Sequence, residues 1–478
     1  MTAKNYPEEI GPSTSLKVNP EYPRRIEKIF NLKLNRNQTL QIRRLIYEIK
    51  KTRKIDFNKI VQLLKRDLEG KDPQGKDKFR HIKNTLVSIR YPLTTPKINI
   101  DTRTIFLNEL KLPDKKTYHP KKEFIPGKVI VEKEARNSYL LNNIRKNFKH
   151  SKIEYIDYAS AFLKKFKLTP YNLKEPLLFI VKERWDFIKK CPCTKNHIGC
   201  GYWIFNLGFG CPFDCSYCYL QQYQNFPGII LPSNLEDFFT KFDTFFRKIN
   251  KPVRIGSGEF CDSLALDHLT GYSSKLIDFF SGKKVLFELK TKSSQIENIL
   301  NKEPAKNIII SWSLNPQSLI DSEEYAVSSL KERLKAAQRI EEKGFKVAFH
   351  FDPIIYSDGW KKEYKKLVEL LYHKAKPPFA WISLGTLRFN RQLKPLMEKR
   401  FPKNEIVYGE LFIGEDKKLR YPEFLRIEIY QNMVKWIREF DAKTPVYLCM
   451  ESKKVWKDSL FEVNSAGQVE DLLIANNV

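Results

Sequence analysis

Apolar residues recur with helical spacing over the first part of the chain. In "EYPRRIEKIFNLKLNRNQTLQIRRLIYEIKKTRKIDFNKIVQLLKRDLEG", Leu40, Ile42, Leu45, Ile46 and Ile49 fall close to a 3.6-residue period. Gly70 and "KDPQGKDK" break the pattern, and "KFRHIKNTLVSIR" predicts a further helix ending before Tyr91 and Pro92. Residues 1–20, with scattered Pro, Ser and Gly, read as a flexible lead-in.

From Lys122 the texture changes to alternating strands and helices. "GKVIVEK" and "SKIEYID" predict strands; "ARNSYLLNNIRKNF" and "YASAFLKKFKL" predict helices. After Gly201 the alternation sharpens. "YWIFNLGFG", "PVRIGSGEF", "KVLFELKTK", "NIIISWSLN", "FKVAFHFDPII", "FAWISLGTL" and "VYLCMES" predict strands. Between them fall helices: "NLEDFFTKFDTFFRK" with Asn234 as its cap, and "GYSSKLIDFFSG" closed by Gly282. "SSQIENILNK", with a serine cap, is another. "SSLKERLKAAQRIEEKG" lines Leu330, Leu334, Ala337 and Ile340 along one face and stops at Gly344, and "GWKKEYKKLVELLYHKA" follows. Repeated strand–helix units call for parallel crossovers. A closed or partial (β/α) barrel fits best, a doubly wound open sheet second; both put chemistry at the carboxyl ends of the strands. The chain divides on this reading into a helical module with linker (1–120), a small α/β lead-in with a cysteine-rich loop (121–200), and a barrel core with a C-terminal extension (201–478).

With 478 residues and 42% apolar content, the chain can bury a sizeable core. No apolar run approaches the roughly 18 residues of a membrane span, and "MTAKNYPEEIGPSTS" lacks a signal-peptide core. No membrane partner and a cytoplasmic location are expected. The net charge is +29. A field of that sign favours a polyanionic partner, with nucleic acid the first expectation; general use of lysine is the bland alternative. The charge is uneven: residues 1–120 carry 27 Lys and Arg against 13 Asp and Glu, a net +14. The helical module is therefore either a nucleic-acid contact or simply a well-solvated bundle.

Eight cysteines in a chain of this length do not make a disulfide scaffold. Three of them, Cys211, Cys215 and Cys218, fall within eight residues, with Tyr217 directly before the last. Three thiolates on one loop can hold three corners of a [4Fe–4S] cluster and leave the fourth iron open to a small-molecule chelate. S-adenosylmethionine offers an amino and a carboxylate group for that position, and one electron from the cluster then yields a 5′-deoxyadenosyl radical. Zinc, which usually takes four ligands in pairs, and plain buried thiols are the alternatives. "CPCTKNHIGC" adds Cys191, Cys193, His197 and Cys200. Four soft ligands so close can hold zinc or a second cluster, although Cys-x-Cys is unusual spacing for zinc; the other reading is a packed loop above the site.

The motif "CPFDCSYCYLQ" resembles the cluster loop of radical S-adenosylmethionine enzymes, and specifically that of the spore photoproduct lyase family. "LALDHLT" (264–270), "FELKTK" (287–292), "SWSLNP" (311–316) and "DPIIYSDGW" (352–360) resemble segments of that family in the same order. The likeness runs from about Lys122 towards the C-terminus. It implies a partial (β/α) barrel of the radical S-adenosylmethionine type, to which residues 1–120, outside the likeness, add a basic N-terminal module, and a lyase-like enzyme acting on nucleic acid, DNA favoured over RNA. An electron donor such as flavodoxin or ferredoxin is implied as well. A radical enzyme on a protein or small molecule, or a non-catalytic iron–sulfur nucleic-acid-binding protein, are the alternatives.

Residue by residue, the resemblance makes Cys211, Cys215 and Cys218 the cluster ligands. Lys292 and Ser313 stand where the family contacts the S-adenosylmethionine carboxylate and ribose, and Asn315 is a further ribose partner. Tyr217 covers a cluster face, and "GSGE" (256–259) offers Glu259 to the cofactor's amino group. Members of the family return a hydrogen atom from a cysteine before "DHLT". Here Glu259 takes that place, with Cys261 two residues on; Cys261 and Cys449 are the candidate thiol donors. His268 and His350 can face the site, or serve only in packing.

Overall fold

A computed structural model of the chain describes residues 21–71, 73–110, 124–149, 151–184, 188–194, 196–247, 249, 251–459, 461, 463, 465–475 and 477. The lead-in at 1–20 and the boundary expected at 120/121 lie outside the described residues. The chain divides into two compact units: one of 1–114 with Glu410–Phe412, the other of 115–409 with Ile413–Val478.

The first unit is helical, with helices at Glu21–Phe30, Arg36–Arg53, Phe57–Leu68 and Gly75–Arg90. Asn35 and Gln38 form a reciprocal capping box at the start of the second, and Asp56 accepts from the Lys59 amide at the start of the third. The apolar stripe read from the sequence faces inward: Ile42, Leu45, Ile46 and Ile49 pack with Ile26, Ile60, Leu64 and Leu86. One charged group is buried with them. Glu48 accepts from Arg44 Nε at 2.7 Å and from Arg90 Nε at 2.7 Å, and all three side chains are almost wholly buried. A segment from far along the chain completes the unit, where the Glu410 carboxylate accepts from the Leu93 and Thr94 amides at 2.8 Å each.

The second unit contains the predicted strand–helix alternation as an eight-stranded sheet. From Trp203–Phe205 the strands follow as Val253–Ser257, Val285–Thr291, Ile308–Ser313, Lys346–Ile354, Ile382–Thr386 and Val446–Leu448, each pairing in parallel with the next. Neighbours in space are neighbours in sequence, and the order never reverses. A doubly wound sheet needs such a reversal, so the alternative expectation is excluded and the curled partial (β/α) barrel stands. The eighth strand, Ile188–Lys190, runs antiparallel to Trp203–Phe205 at the edge. A short ladder, His197–Ile198 with Glu451–Ser452, ties the chain after one edge strand to the chain after the other. A separate four-stranded parallel sheet joins Lys152–Ile156, Lys128–Glu132, Leu177–Val181 and Ile229–Pro232, in that order.

Polar groups occupy the barrel interior. Glu288 accepts from Ser311 Oγ at 2.7 Å, pairs with His350 Nε2 at 2.6 Å and lies 3.4 Å from Arg254 Nη2. Arg254 also donates to Tyr447 Oη at 2.7 Å and sits over the Trp381 ring. His350 is thus part of the interior packing.

Two local expectations fail for one reason. Asn234 stands before the Leu235–Phe246 helix, but its side chain accepts from the Glu183 amide and donates to the Glu183 carbonyl instead of capping. In "SSQIENILNK" only Glu297–Leu300 is helical, because Ser293 Oγ accepts from the Gln295 amide in a turn. In both, tertiary or turn hydrogen bonds outcompete the cap. By contrast, Ser329 and Glu332 do form a capping box on Leu330–Lys343, which stops at Gly344 (φ +104°). The Glu423–Arg438 helix was not read from the sequence. No described helix is long and apolar enough to cross a membrane.

Replacing Glu48 by alanine leaves two buried guanidiniums without their shared carboxylate. Loss of about 3–5 kcal/mol is expected, seen by circular dichroism as an earlier melting step of the helical unit.

Candidate functional site

The cysteine loop follows the first parallel barrel strand and is held by its backbone. Gly210 adopts φ +86°, and a Cβ there would lie 2.6 Å from the Gly228 carbonyl oxygen, so only glycine lets the loop press against that segment. Lys174 Nζ donates to the Cys211 and Phe213 carbonyls at 2.6 and 2.7 Å. Gln221 Nε2 donates to the Ser216 carbonyl at 2.7 Å and to the Cys218 carbonyl at 3.2 Å. Arg400, fully buried, fixes Gln221 through its Oε1 at 2.6 Å and pairs with Asp214 at 2.9 Å.

These clamps engage main-chain oxygens and leave the sulfurs to something else. Cys211 and Cys215 are buried, Cys218 is half-buried, and none of the three is in a disulfide. Burial pushes the Cys211 thiol up to about 12 and raises those of Cys215 and Cys218. Thiols in such surroundings become thiolates when a metal's charge replaces the proton. Among the described residues no group of three or more His, Cys, Asp and Glu side chains is arranged for a single metal ion. Three thiols on one loop are a donor set that fits a cluster with one iron left open.

Beside the loop lies a buried carboxylate that sequence reasoning missed. The Asp214–Cys215 strand pairs antiparallel with Glu324–Tyr325, with Cys215 opposite Glu324. The Glu324 side chain accepts from Lys292 Nζ at 2.5 Å, Asn315 Nδ2 at 2.9 Å and Arg333 Nη2 at 2.7 Å, and from the Tyr217 hydroxyl. Burial opposes its charge, but the Lys292 and Arg333 cations outweigh burial and hold the carboxyl well below the usual carboxylate range. Three of the residues singled out from the sequence, Tyr217, Lys292 and Asn315, thus meet on one group. Ser313 joins through its main chain, since Arg333 Nη1 donates to the Ser313 carbonyl at 2.9 Å. Asn315 is oriented in turn by Tyr364, whose hydroxyl donates to its Oδ1 at 2.8 Å. A signal for Arg333 existed: it sits among Leu330, Leu334 and Ala337 on the apolar face of its helix, where a charge needs a buried partner.

Cys261 and Cys449 are placed differently. Cys261 lines a cleft with Leu207, Tyr272, and Gly210 and Pro212, the two residues that flank Cys211. The next residue, Asp262, accepts from Thr291 Oγ1 at 2.6 Å and from the Lys292 amide at 2.7 Å, tying the Cys261 loop to the Lys292 strand end. Cys449 instead accepts from Arg388 Nη2 at 3.3 Å, beside the Arg388–Asp352 ion pair. The Glu259 carboxylate pairs with Lys189 at 3.0 Å, and its carbonyl accepts from the Tyr219 hydroxyl of the cysteine loop.

Residues 124–431 match the family model described as spore photoproduct lyase. The chain belongs to the spore photoproduct lyase family. It is therefore a member of a family of radical S-adenosylmethionine lyases. The spore photoproduct lyase of Clostridium acetobutylicum is 24% identical over 306 residues, 62% of this chain and 88% of that protein. That of Bacillus subtilis (strain 168) is 26% identical over 301 residues, 60% of this chain and 85% of the relative. Among solved structures, spore photoproduct lyase complexed with dinucleoside spore photoproduct superposes with a TM-score of 0.59 at 22% identity, covering 68% of this chain and all of that one. A mutant lyase with bound AdoMet and dinucleoside spore photoproduct also matches at TM-score 0.59 and 23% identity, again over 68% of this chain and all of that one. At these identities the two structures establish the fold.

Truncating Glu324 to alanine strands Arg333 and Lys292. Destabilisation of about 3–5 kcal/mol is expected by chemical denaturation, whereas Glu324→Gln, which keeps the shape, costs less.

Proposed function

We propose that this protein is a lesion-processing enzyme on DNA, in which Cys211, Cys215 and Cys218 ligate a [4Fe–4S] cluster and the neighbouring strand ends hold S-adenosylmethionine. The observation that carries this reading is the convergence of Lys292, Tyr217 and Asn315 on Glu324 directly beside the three-cysteine loop. When bound, the cluster and S-adenosylmethionine together supply a carbon-centred radical that abstracts hydrogen from the substrate.

The chain's own residues do the rest. Lys292, at a strand end, offers its ammonium to the cofactor's carboxylate, with Glu324 fixing its direction. Asn315, locked by Tyr364, presents its amide to the ribose, and the Ser313 hydroxyl stands at the same strand end. Tyr217 and Tyr219 flank Cys218 and limit water. Cys261 is the hydrogen donor: a thiol S–H bond is weak enough to give its hydrogen atom to a carbon radical, and a Glu259 carboxyl is not. Its position in the cleft with Gly210 and Pro212, which flank Cys211, supports this over Cys449.

The substrate class rests on the relatives, solved with dinucleoside spore photoproduct, and on the net charge of +29. The basic helical unit contributes to the grip on the phosphate backbone. A small electron-transfer protein of the flavodoxin or ferredoxin kind supplies the electron.

Two measurements test this. Under anaerobic conditions with a reductant, the protein is expected to cleave S-adenosylmethionine and to process ultraviolet-damaged DNA; cleavage disappears in Cys215→Ser. Cys261→Ala retains cleavage but loses normal product, and unchanged product from that variant rules out its role. DNA affinity is expected to fall by about tenfold or more between 50 and 200 mM salt. Affinity that is weak and insensitive to salt points to a protein or small-molecule substrate instead.

A further inference from the structure

The lateral opening of the barrel carries a second group of thiols. The chain leaving the Ile188–Lys190 edge strand and the chain leaving the Val446–Leu448 edge strand are drawn together by the His197–Ile198 and Glu451–Ser452 ladder. Ile198 pairs with Glu451, which puts Cys200 and Cys449, each two residues away, on facing segments. Cys191 is fixed by its amide, which donates to the Tyr202 carbonyl at 2.9 Å, and the Cys193 amide donates to the Cys191 carbonyl at 2.7 Å. Cys191 thus stands across from Tyr202, two residues after Cys200. The Cys193 sulfur lies 3.5 Å from where a Cβ on Gly199 would stand, which sets it beside the residue before Cys200. Four cysteines from three stretches of sequence therefore meet, and none is in a disulfide.

Their surroundings suit a concentrated negative charge. Arg388 Nη2 donates to Cys449 Sγ at 3.3 Å. Arg254 lies over the Tyr202 ring at 4.8 Å, two residues from Cys200. The acids nearby have cations of their own: Asp352 pairs with Arg388, Glu288 with Arg254 and His350, and Glu259 with Lys189. Arg254 adds a separate indication. It is only 2% exposed, and its Nε and Nη1 find no hydrogen-bond acceptor among the described residues. Two buried N–H donors without acceptors are costly, and sulfur atoms at the Cys200 side can satisfy them.

We infer that Cys191, Cys193, Cys200 and Cys449 ligate a second iron–sulfur cluster, of the [4Fe–4S] type, at the open side of the barrel. A single zinc ion is disfavoured, because the Cys191-x-Cys193 spacing is unusual for zinc. Four protein thiolates close every corner, so this cluster does not chelate S-adenosylmethionine. It is distinct from the cluster of the Cys211 loop, whose open corner the proposed function requires. Cys449 lies beyond residues 124–431, so the site is not contained in the family match.

The test is metal analysis of the full chain, reconstituted anaerobically with iron and sulfide. The wild type is expected to hold about eight iron atoms per chain, and the Cys211→Ser, Cys215→Ser, Cys218→Ser triple variant about four, with a [4Fe–4S] Mössbauer signature that S-adenosylmethionine does not perturb. Adding Cys193→Ser and Cys449→Ser to the triple variant removes the remaining iron. In the wild-type background, Cys191→Ser with Cys193→Ser halves the iron while the S-adenosylmethionine-sensitive spectrum persists; circular dichroism checks that each variant is folded. A folded triple variant without iron, one that holds zinc instead, or iron that survives the Cys193 and Cys449 substitutions overturns the inference. Failure to cleave S-adenosylmethionine bears on the proposed function alone.

Discussion

The site depends on one buried carboxylate. Glu324 is excluded from water, and an isolated charge there would be prohibitively costly. It persists because Lys292 and Arg333 each place a cation against it and two neutral donors complete its shell. Those partners come from the cysteine loop, two strand ends and the helix that follows. The Glu324 backbone also pairs with Cys215. A single residue thus couples the main-chain path of the cysteine loop to the orientation of the side chains beside it. Substituting any one member alters the electrostatics of all the others, which is the behaviour expected of a fully satisfied buried network.

The barrel supplies the frame for this arrangement. Its seven parallel strands follow sequence order, so every strand end that carries chemistry opens on the same side. The interior is filled with a polar cluster around Glu288, His350 and Arg254, not with aliphatic layers alone. Because the sheet does not close on itself through strand pairing, its two edges leave a gap, and the chain crosses that gap with the segment holding Cys191, Cys193 and Cys200. Incomplete closure gives the fold both an entrance and a place where distant cysteines can meet.

The helical unit stands outside most of the family match, which begins at residue 124. It has its own apolar core and its own buried charge network around Glu48. Its excess of basic residues is a surface property laid over that core. Such charge contributes long-range attraction to a polyanion without specifying sequence, in keeping with the DNA substrate proposed above.

Much of this protein was legible in its sequence, because local chemistry is written locally. Apolar periodicity marked the helices before residue 91, the alternation after Gly201 marked the barrel, and the three-cysteine loop with its neighbouring segments marked the family, since each signal spans only a few residues. Partners distant along the chain were not legible. Nothing in "SEEYAV" says that Glu324 will gather Lys292, Arg333, Tyr217 and Asn315, and nothing near Cys449 says that it will meet a loop some 250 residues earlier. Asn234 and the serines at 293 and 294 carried cap signatures that other hydrogen bonds overrode. The sequence determined which elements form and which residue types can do chemistry; the tertiary structure decided which of them share a site, because burial forces each charge and each thiol to find its partner across the fold.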